Sequence, residues 1–203
     1  APEAAQAAVE REFTSQYDLK EIRNPVSRRR VQDAMEYRSS MNTLSKRHSG
    51  AMRASLVNTI SDVDDWIGHM YNLALHIDAF ESNELVERDR RSVPQQLEST
   101  RKRLSLESDP AVRRDLEEQA RQLELQLANL EATASSVKRA EIQLDSTLSS
   151  LGTIYAQMSL LGTKEVDSSR TQRLRQDIKD EVTGLQDTLA ALDEVQSQRL
   201  QMR

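Results

Sequence analysis

The sequence predicts an all-α protein, an elongated antiparallel helical bundle or coiled coil of three to four long helices. Three observations lead to that class. Ala, Glu, Gln, Leu and Arg dominate the 203 residues, and all of them favour helix. Five Gly and four Pro leave few tight turns. Apolar residues recur at alternating spacings of three and four, an average of about 3.5 that is the coiled-coil period. Only 3% of residues are aromatic and 37% hydrophobic. Such a chain fills a long thin core, whereas a compact α/β enzyme carries more apolar residues and more Gly.

Residues 1–25 read as a polar, Ala-rich N-terminal tail or short helix. Asn24-Pro25 marks a turn, and Ser27 is an N-cap candidate beyond it. Residues 26–203 are expected to form one elongated bundle. A single long helix is expected over about 27–90. Its seam is clearest at Leu56, Ile60, Val63, Ile67, Met70, Leu73 or Ala74, and Ile77, and is weaker through Val31, Met35, Met41, Leu44, His48 and Met52. Gly50 and Gly68 each cost about 1 kcal/mol relative to Ala inside a helix, and they mark a bend or a close approach.

Ser92-Val93-Pro94 predicts a break, because proline removes a backbone donor and clashes with the preceding turn. A short helix over about 94–107 follows. Ser108-Asp109-Pro110 is a strong start signal for a helix over about 110–161, about 75 Å long. Its seam runs through Leu116, Ala120, Leu123, Leu127, Leu130, Ala134, Val137, Leu144, Leu148, Leu151, Tyr155 and Met158. Glu141 is the one misfit on that seam. Gly162 suits a C′ position. A last helix over about 167–202, with Leu174, Ile178, Val182, Leu185, Leu189, Leu192 and Val195 or Gln196 on its seam, is expected to fold back on its predecessor.

The net charge is −5, but it is unevenly spread. Residues 20–53 hold nine Lys/Arg against Glu21, Asp33 and Glu36. This marks Arg28, Arg29, Arg30, Arg38, Lys46, Arg47 and Arg53 as a candidate interaction surface, with Trp66, the only tryptophan, as a candidate partner contact. Arg28-Arg29-Arg30 opposes the dipole at a helix N-terminus. With Met35, Met41 and Met52 nearby, the segment also reads as an amphipathic surface helix for anionic lipid. The bland alternatives are a solvated face paired with Asp33 and Glu36, and a Trp66 packed inside the bundle. Nucleic acid fits least, since no aromatic stacking platform accompanies the arginines.

The sequence has no Cys, which removes disulfides and thiolate chemistry. It carries no Gly-rich phosphate loop, nucleophile elbow or His-Glu-x-x-His helix. Asp62, Asp65, His69 and His76 could share a face toward a metal. The Glu-x-x-His pattern of di-iron bundles is absent, so no cofactor or metal is expected. No apolar run approaches the roughly 18 residues that span a bilayer, and no signal peptide is visible.

The expected function is therefore non-enzymatic: a structural or interaction protein presenting coiled-coil helices for self-assembly, as a homo-oligomer, or for docking another helical protein. The expected location is cytoplasmic or peripheral at a membrane. The alternatives are a peripheral membrane-binding or membrane-remodelling protein using residues 28–53, and, more weakly, a metal-carrying helical bundle. The outline of the membrane alternative, a long helical hairpin with a basic amphipathic element, resembles the phage-shock and ESCRT-III type in architecture.

Overall fold

The computed structural model describes residues 2–161 and scattered positions between 169 and 194. Every element among them is helical. In chain order these are α1 (Pro2–Ser15), a 3-10 turn (Leu19–Glu21), α2 (Pro25–Ser45), α3 (Gly50–Glu81), α4 (Glu84–Leu106) and α5 (Pro110–Leu161). The expected seam residues of the last helix, Leu174 to Gln196, lie outside the described residues.

The helix expected over 27–90 is divided into two complete helices and the start of a third. α2 begins at Pro25, with Asn24 rather than Ser27 as its N-cap. Asn24 Oδ1 accepts from the Val26 and Ser27 amides at 2.9 and 3.0 Å, and proline at N1 leaves no amide unsatisfied. α2 ends at Ser45, and the chain turns through residues 46–49. Gly50, at φ +61°, makes that reversal, a left-handed conformation that an L side chain adopts only under strain. The second break is at Ser82-Asn83, and α4 runs on through Pro94. Asn83 Oδ1 caps α4 by accepting from Leu85 and Val86, and Ser82 Oγ donates to Asp78 O. Capping makes a break inexpensive at 82–83. Val93 and Leu97, buried on either side of Pro94, hold the helix together across the proline, whose own ring is exposed.

α2 and α3 run antiparallel, meeting through Asn24 and Glu81 at one end and Arg38 and Asp64 further along. α2 runs parallel to the second half of α5, with Arg30 beside Asp145 and Tyr37 beside Tyr155. These three segments enclose the main core, which includes Val31, Met41, Ile60, Trp66, Ile67, Ile77, Leu144, Leu151 and Met158. Burying each large side chain stabilises the fold by about 1.5–3 kcal/mol before entropy is counted. Tyr71 ties the 3-10 turn to this core, donating from its hydroxyl to Glu21 Oε2 at 2.6 Å.

The first half of α5 has a different neighbour. α4 packs against it across the short loop 107–109, forming a separate small core of Val93, Leu97, Ala120, Leu123 and Leu130. Asp109 starts α5 as expected, accepting from Ala111 and Val112. Arg113 Nη1 closes the loop by donating to Leu104 O and Glu107 O, each at 3.0 Å. The buried face of α5 changes width accordingly. Leu116, Ala120, Leu123 and Leu130 make one row, whereas Thr133, Ser136, Val137, Ala140, Leu144, Thr147, Leu151 and Ile154 cover a broader arc. A single stripe suits one neighbouring helix and a broad arc suits two.

Beyond α5, the described residues between 169 and 194 are helical. A Cβ added at Gly184 would stand 3.6 Å from Gln143 Nε2.

Candidate interaction surfaces

The basic segment proves to be largely committed within the molecule. Arg28 Nε donates to Ile22 O at 2.8 Å and Nη2 to Arg23 O at 3.4 Å, so this side chain braces the turn before α2. Arg29 pairs with Asp33 at 2.8 Å along its own helix. Arg30 reaches Asp145 of α5 at 3.3 Å. The positive run at the α2 N-terminus is thus offset by contacts on either side of it.

Arg38 is not on the surface at all. It is 4% exposed. It forms a two-pronged pair with the Asp64 carboxylate, through Nε and Nη2, and its Nη1 stands 3.8 Å from Glu10. The Phe13 ring covers the guanidinium at 3.9 Å. A planar fork facing a carboxylate with an aromatic lid is the geometry arginine suits and lysine does not. Burial pushes the Asp64 carboxyl above its ordinary range, against the opposing hydrogen bond and charge of Arg38.

Trp66 is fully buried, and its Nε1 has no hydrogen-bond partner. It therefore acts in the core rather than on an accessible surface. The apolar face of α2 is also in use, since Val31, Ala34 and Met41 are all 0% exposed. Of the basic set, Lys46 and Arg47 at the α2–α3 turn are exposed and Arg53 is half-buried. Together they are a small cationic patch beside the turn.

Among the described residues, no group of three or more His, Asp or Glu side chains gathers in a way that could hold a metal ion. No described helix is long and apolar enough to cross a membrane.

One open cleft lies where α3 gives way to α4, and another between the start of α2 and α5. The first, about 480 Å³, is lined by Glu81, Ser82, Glu84, Glu87, Arg88, Arg91, Ser92 and Gln95. The other, about 360 Å³, is lined by Asn24, Val26, Ser27, Arg30, Glu141, Ile142, Asp145 and Ser146. Neither lining contains a His, Cys or Lys that could serve as base or nucleophile beside these carboxylates. Glu141, the seam misfit, lines the second of these clefts. Burial first, and then the charge and hydrogen bond of Glu81, raise its carboxyl above the usual glutamate range, with Arg30 and Lys138 opposing.

The α4–α5 arm is the surface that composition did not single out. Leu85 and Leu125 are 61% and 55% exposed on it, and Leu106 at its tip is 86% exposed. These residues stand off the seam spacing, so a search for seams passes over them. Among the described residues the protein is all-helical, with a broad core shared by α2, α3 and the second half of α5 and a smaller one between α4 and the first half of α5. No protein-family model, curated protein or solved structure matches the chain.

Proposed function

We propose that this is a non-enzymatic helical interaction protein, an elongated antiparallel bundle whose α4–α5 arm self-associates with the arm of a second copy. The observation that carries this reading is the single-row core of the arm. α4 and the first half of α5 bury one stripe between them and leave their outer faces, with Leu85 and Leu125, to solvent. Two helices sharing one seam are marginal in water, and a further helix or pair of helices is the usual way such a stripe is completed. The position of Gly184 beside Gln143 supports a last helix folded back along the other half of α5, which would leave the arm as the free end.

Mass determination by light scattering across a concentration series tests the proposal. The expected result is a concentration-dependent rise above the monomer mass. Leu85→Glu with Leu125→Glu should return the chain to monomer with its helical circular dichroism intact. A monomer at every concentration, or self-association unchanged in the double variant, rejects it.

A peripheral membrane role would rest on Lys46, Arg47 and Arg53, because Arg28, Arg29, Arg30 and Arg38 already have partners inside the molecule. Three cations without a free apolar face make a weak anchor. Co-sedimentation with anionic vesicles, compared between the native chain and one with Lys46, Arg47 and Arg53 replaced by Ser, separates that reading from self-association.

A further inference from the structure

We infer that two copies of the arm pair antiparallel along the outer side of α4, so that Leu106 and its cationic collar at the tip of one copy enter the acidic cleft at the α3–α4 break of the other. This rests on the reading of the arm as a self-associating element, and it gives that contact a direction, a register and a seat.

The two halves of the contact lie on one stripe of one helix. Glu84, Arg88, Arg91 and Gln95 line the cleft of about 480 Å³, and Glu81 and Ser82 close it where α3 ends. Their spacing of four, three and four along α4 continues through Ser99 and Lys102 to Leu106. Cleft and tip therefore share one side of the helix. Val93 and Leu97, which pack toward α5, occupy the opposite side. From Glu84 to Leu106 is about 33 Å at 1.5 Å per residue. A second α4, turned end for end at the level of Gln95, brings each Leu106 to the Glu84 of the other copy. Such a pairing is twofold, so every contact in it is made twice.

The two ends are chemically complementary. Leu106 is 86% exposed and contributes nothing to the core of its own arm. Lys102 and Arg103, one turn before it, are exposed as well. Lys102 touches only Glu98 of its own helix, at 3.0 Å, a surface contact that exchanges readily. Arg103 has no ion pair among the described residues, and neither has Glu84 at the other end of α4. The cleft arginines are already engaged along α4, Arg91 with Glu87 at 2.9 Å and Arg88 with Asp89 at 3.0 Å. That leaves Glu84 for a cation from outside. Antiparallel pairing sets Arg103 of one copy against Glu84 and Glu87 of the other. Parallel pairing would instead set Lys102 and Arg103 against the same residues of the second copy, like charge on like.

The full chain tests this, with its mass followed by light scattering. The sequence has no Cys, so introduced cysteines report alone. Ser105 and Ser82 are both exposed, one beside Leu106 and the other in the cleft. Chains carrying Ser105→Cys and Ser82→Cys are mixed in a redox buffer. The disulfide between positions 105 and 82 should dominate, because the bond forms only between Cα atoms within about 7 Å. Dominance of the disulfide between two positions 105 shows parallel arms and overturns the inference, while self-association stands. A dimer with neither disulfide also overturns it, by placing the contact elsewhere. Independently, Arg103→Glu should raise the dimer dissociation constant several-fold, and Glu84→Arg in the same chain should restore it. A double variant that stays as weak as Arg103→Glu, with helical circular dichroism intact, overturns the register. The disulfide result decides if Glu84→Arg disturbs the start of α4. A monomer at every concentration rejects the self-associating arm itself, and this inference with it.

Discussion

The Tyr17 hydroxyl occupies the place beside Gly68 where any other residue would carry its side chain. A Cβ on Gly68 would stand 2.7 Å from Tyr17 Oη. Tyr17 is held there between Phe13 and Tyr71, with ring centroids 5.3 and 5.1 Å away. Gly68 is therefore a seat for the segment that follows α1.

Gly68→Ala sets two effects against each other. Alanine gains about 1 kcal/mol of helix propensity, and displacing a packed ring costs about 1–3 kcal/mol. The net expectation is a loss of about 1 kcal/mol, read from the urea midpoint. Adding Tyr17→Phe removes the clashing oxygen and should restore stability to at least the native level. A single variant more stable than the native chain would show that the ring moves freely.

Asp78→Ala should be among the most damaging changes near the 3-10 turn. The Asp78 carboxylate is 7% exposed and accepts from the backbone amides of Arg23 and Asn24. Its removal strands two donors, at about 1–3 kcal/mol each when buried. Asp78→Asn keeps one acceptor and should fall between. Denaturant curves on the three chains give the order.

Arg38→Met should free α1. Methionine matches the buried length but leaves Asp64 without its counter-charge and Phe13 without the cation beneath it. The expected loss is about 2–3 kcal/mol, below the value for fully buried pairs because Asp64 is about a third exposed. Limited proteolysis should then cut within 2–24 first. Unchanged cleavage would show that other contacts hold α1 in place.

Tyr71 gives the fold an alkaline limit. Burial, followed by the hydrogen bond and charge of Glu21, pushes its phenol from 10 up to about 12. The folded state prefers the protonated phenol, so this contribution is intact below pH 10 and disappears as pH rises from there through about 12. Tyr71→Phe should flatten that fall in a thermal melt series. An ultraviolet titration of the native chain should show a late-ionising step that Tyr71→Phe removes, with Tyr17, also raised by burial, ionising above the ordinary tyrosine range.

Much of this architecture was legible before any coordinates. Asp109-Pro110 announced the start of α5, and the three-four spacing marked both its seam and that of α3. Glu141 stood out as a charge on that seam, but the groups that shift its carboxyl did not, because Glu81 and Arg30 lie far from it along the chain. The same distance hid the ties of Arg30 to Asp145 and Arg38 to Asp64, so charges that are surface-like by composition read as a free patch. The two breaks in the expected 27–90 helix were obscured for another reason. Val31, Met41, Leu56 and Ile60 keep an apolar rhythm on both sides of the 46–49 turn, and rhythm alone does not show that the chain has reversed. Pro94 misled in the opposite sense, since Val93 and Leu97 hold a helix that local chemistry would end.

α5 is one continuous rod of 52 residues seated in two unequal supports. From Thr133, where the broad arc begins, to Pro110 is about 35 Å at 1.5 Å per residue. A tilt of about 10° at that root therefore carries the tip at Leu106 through about 6 Å. Whatever grips the outer end of this molecule has leverage on the core at the other, and a small rearrangement beside Thr133 is magnified into a swing wide enough to engage or miss a neighbour.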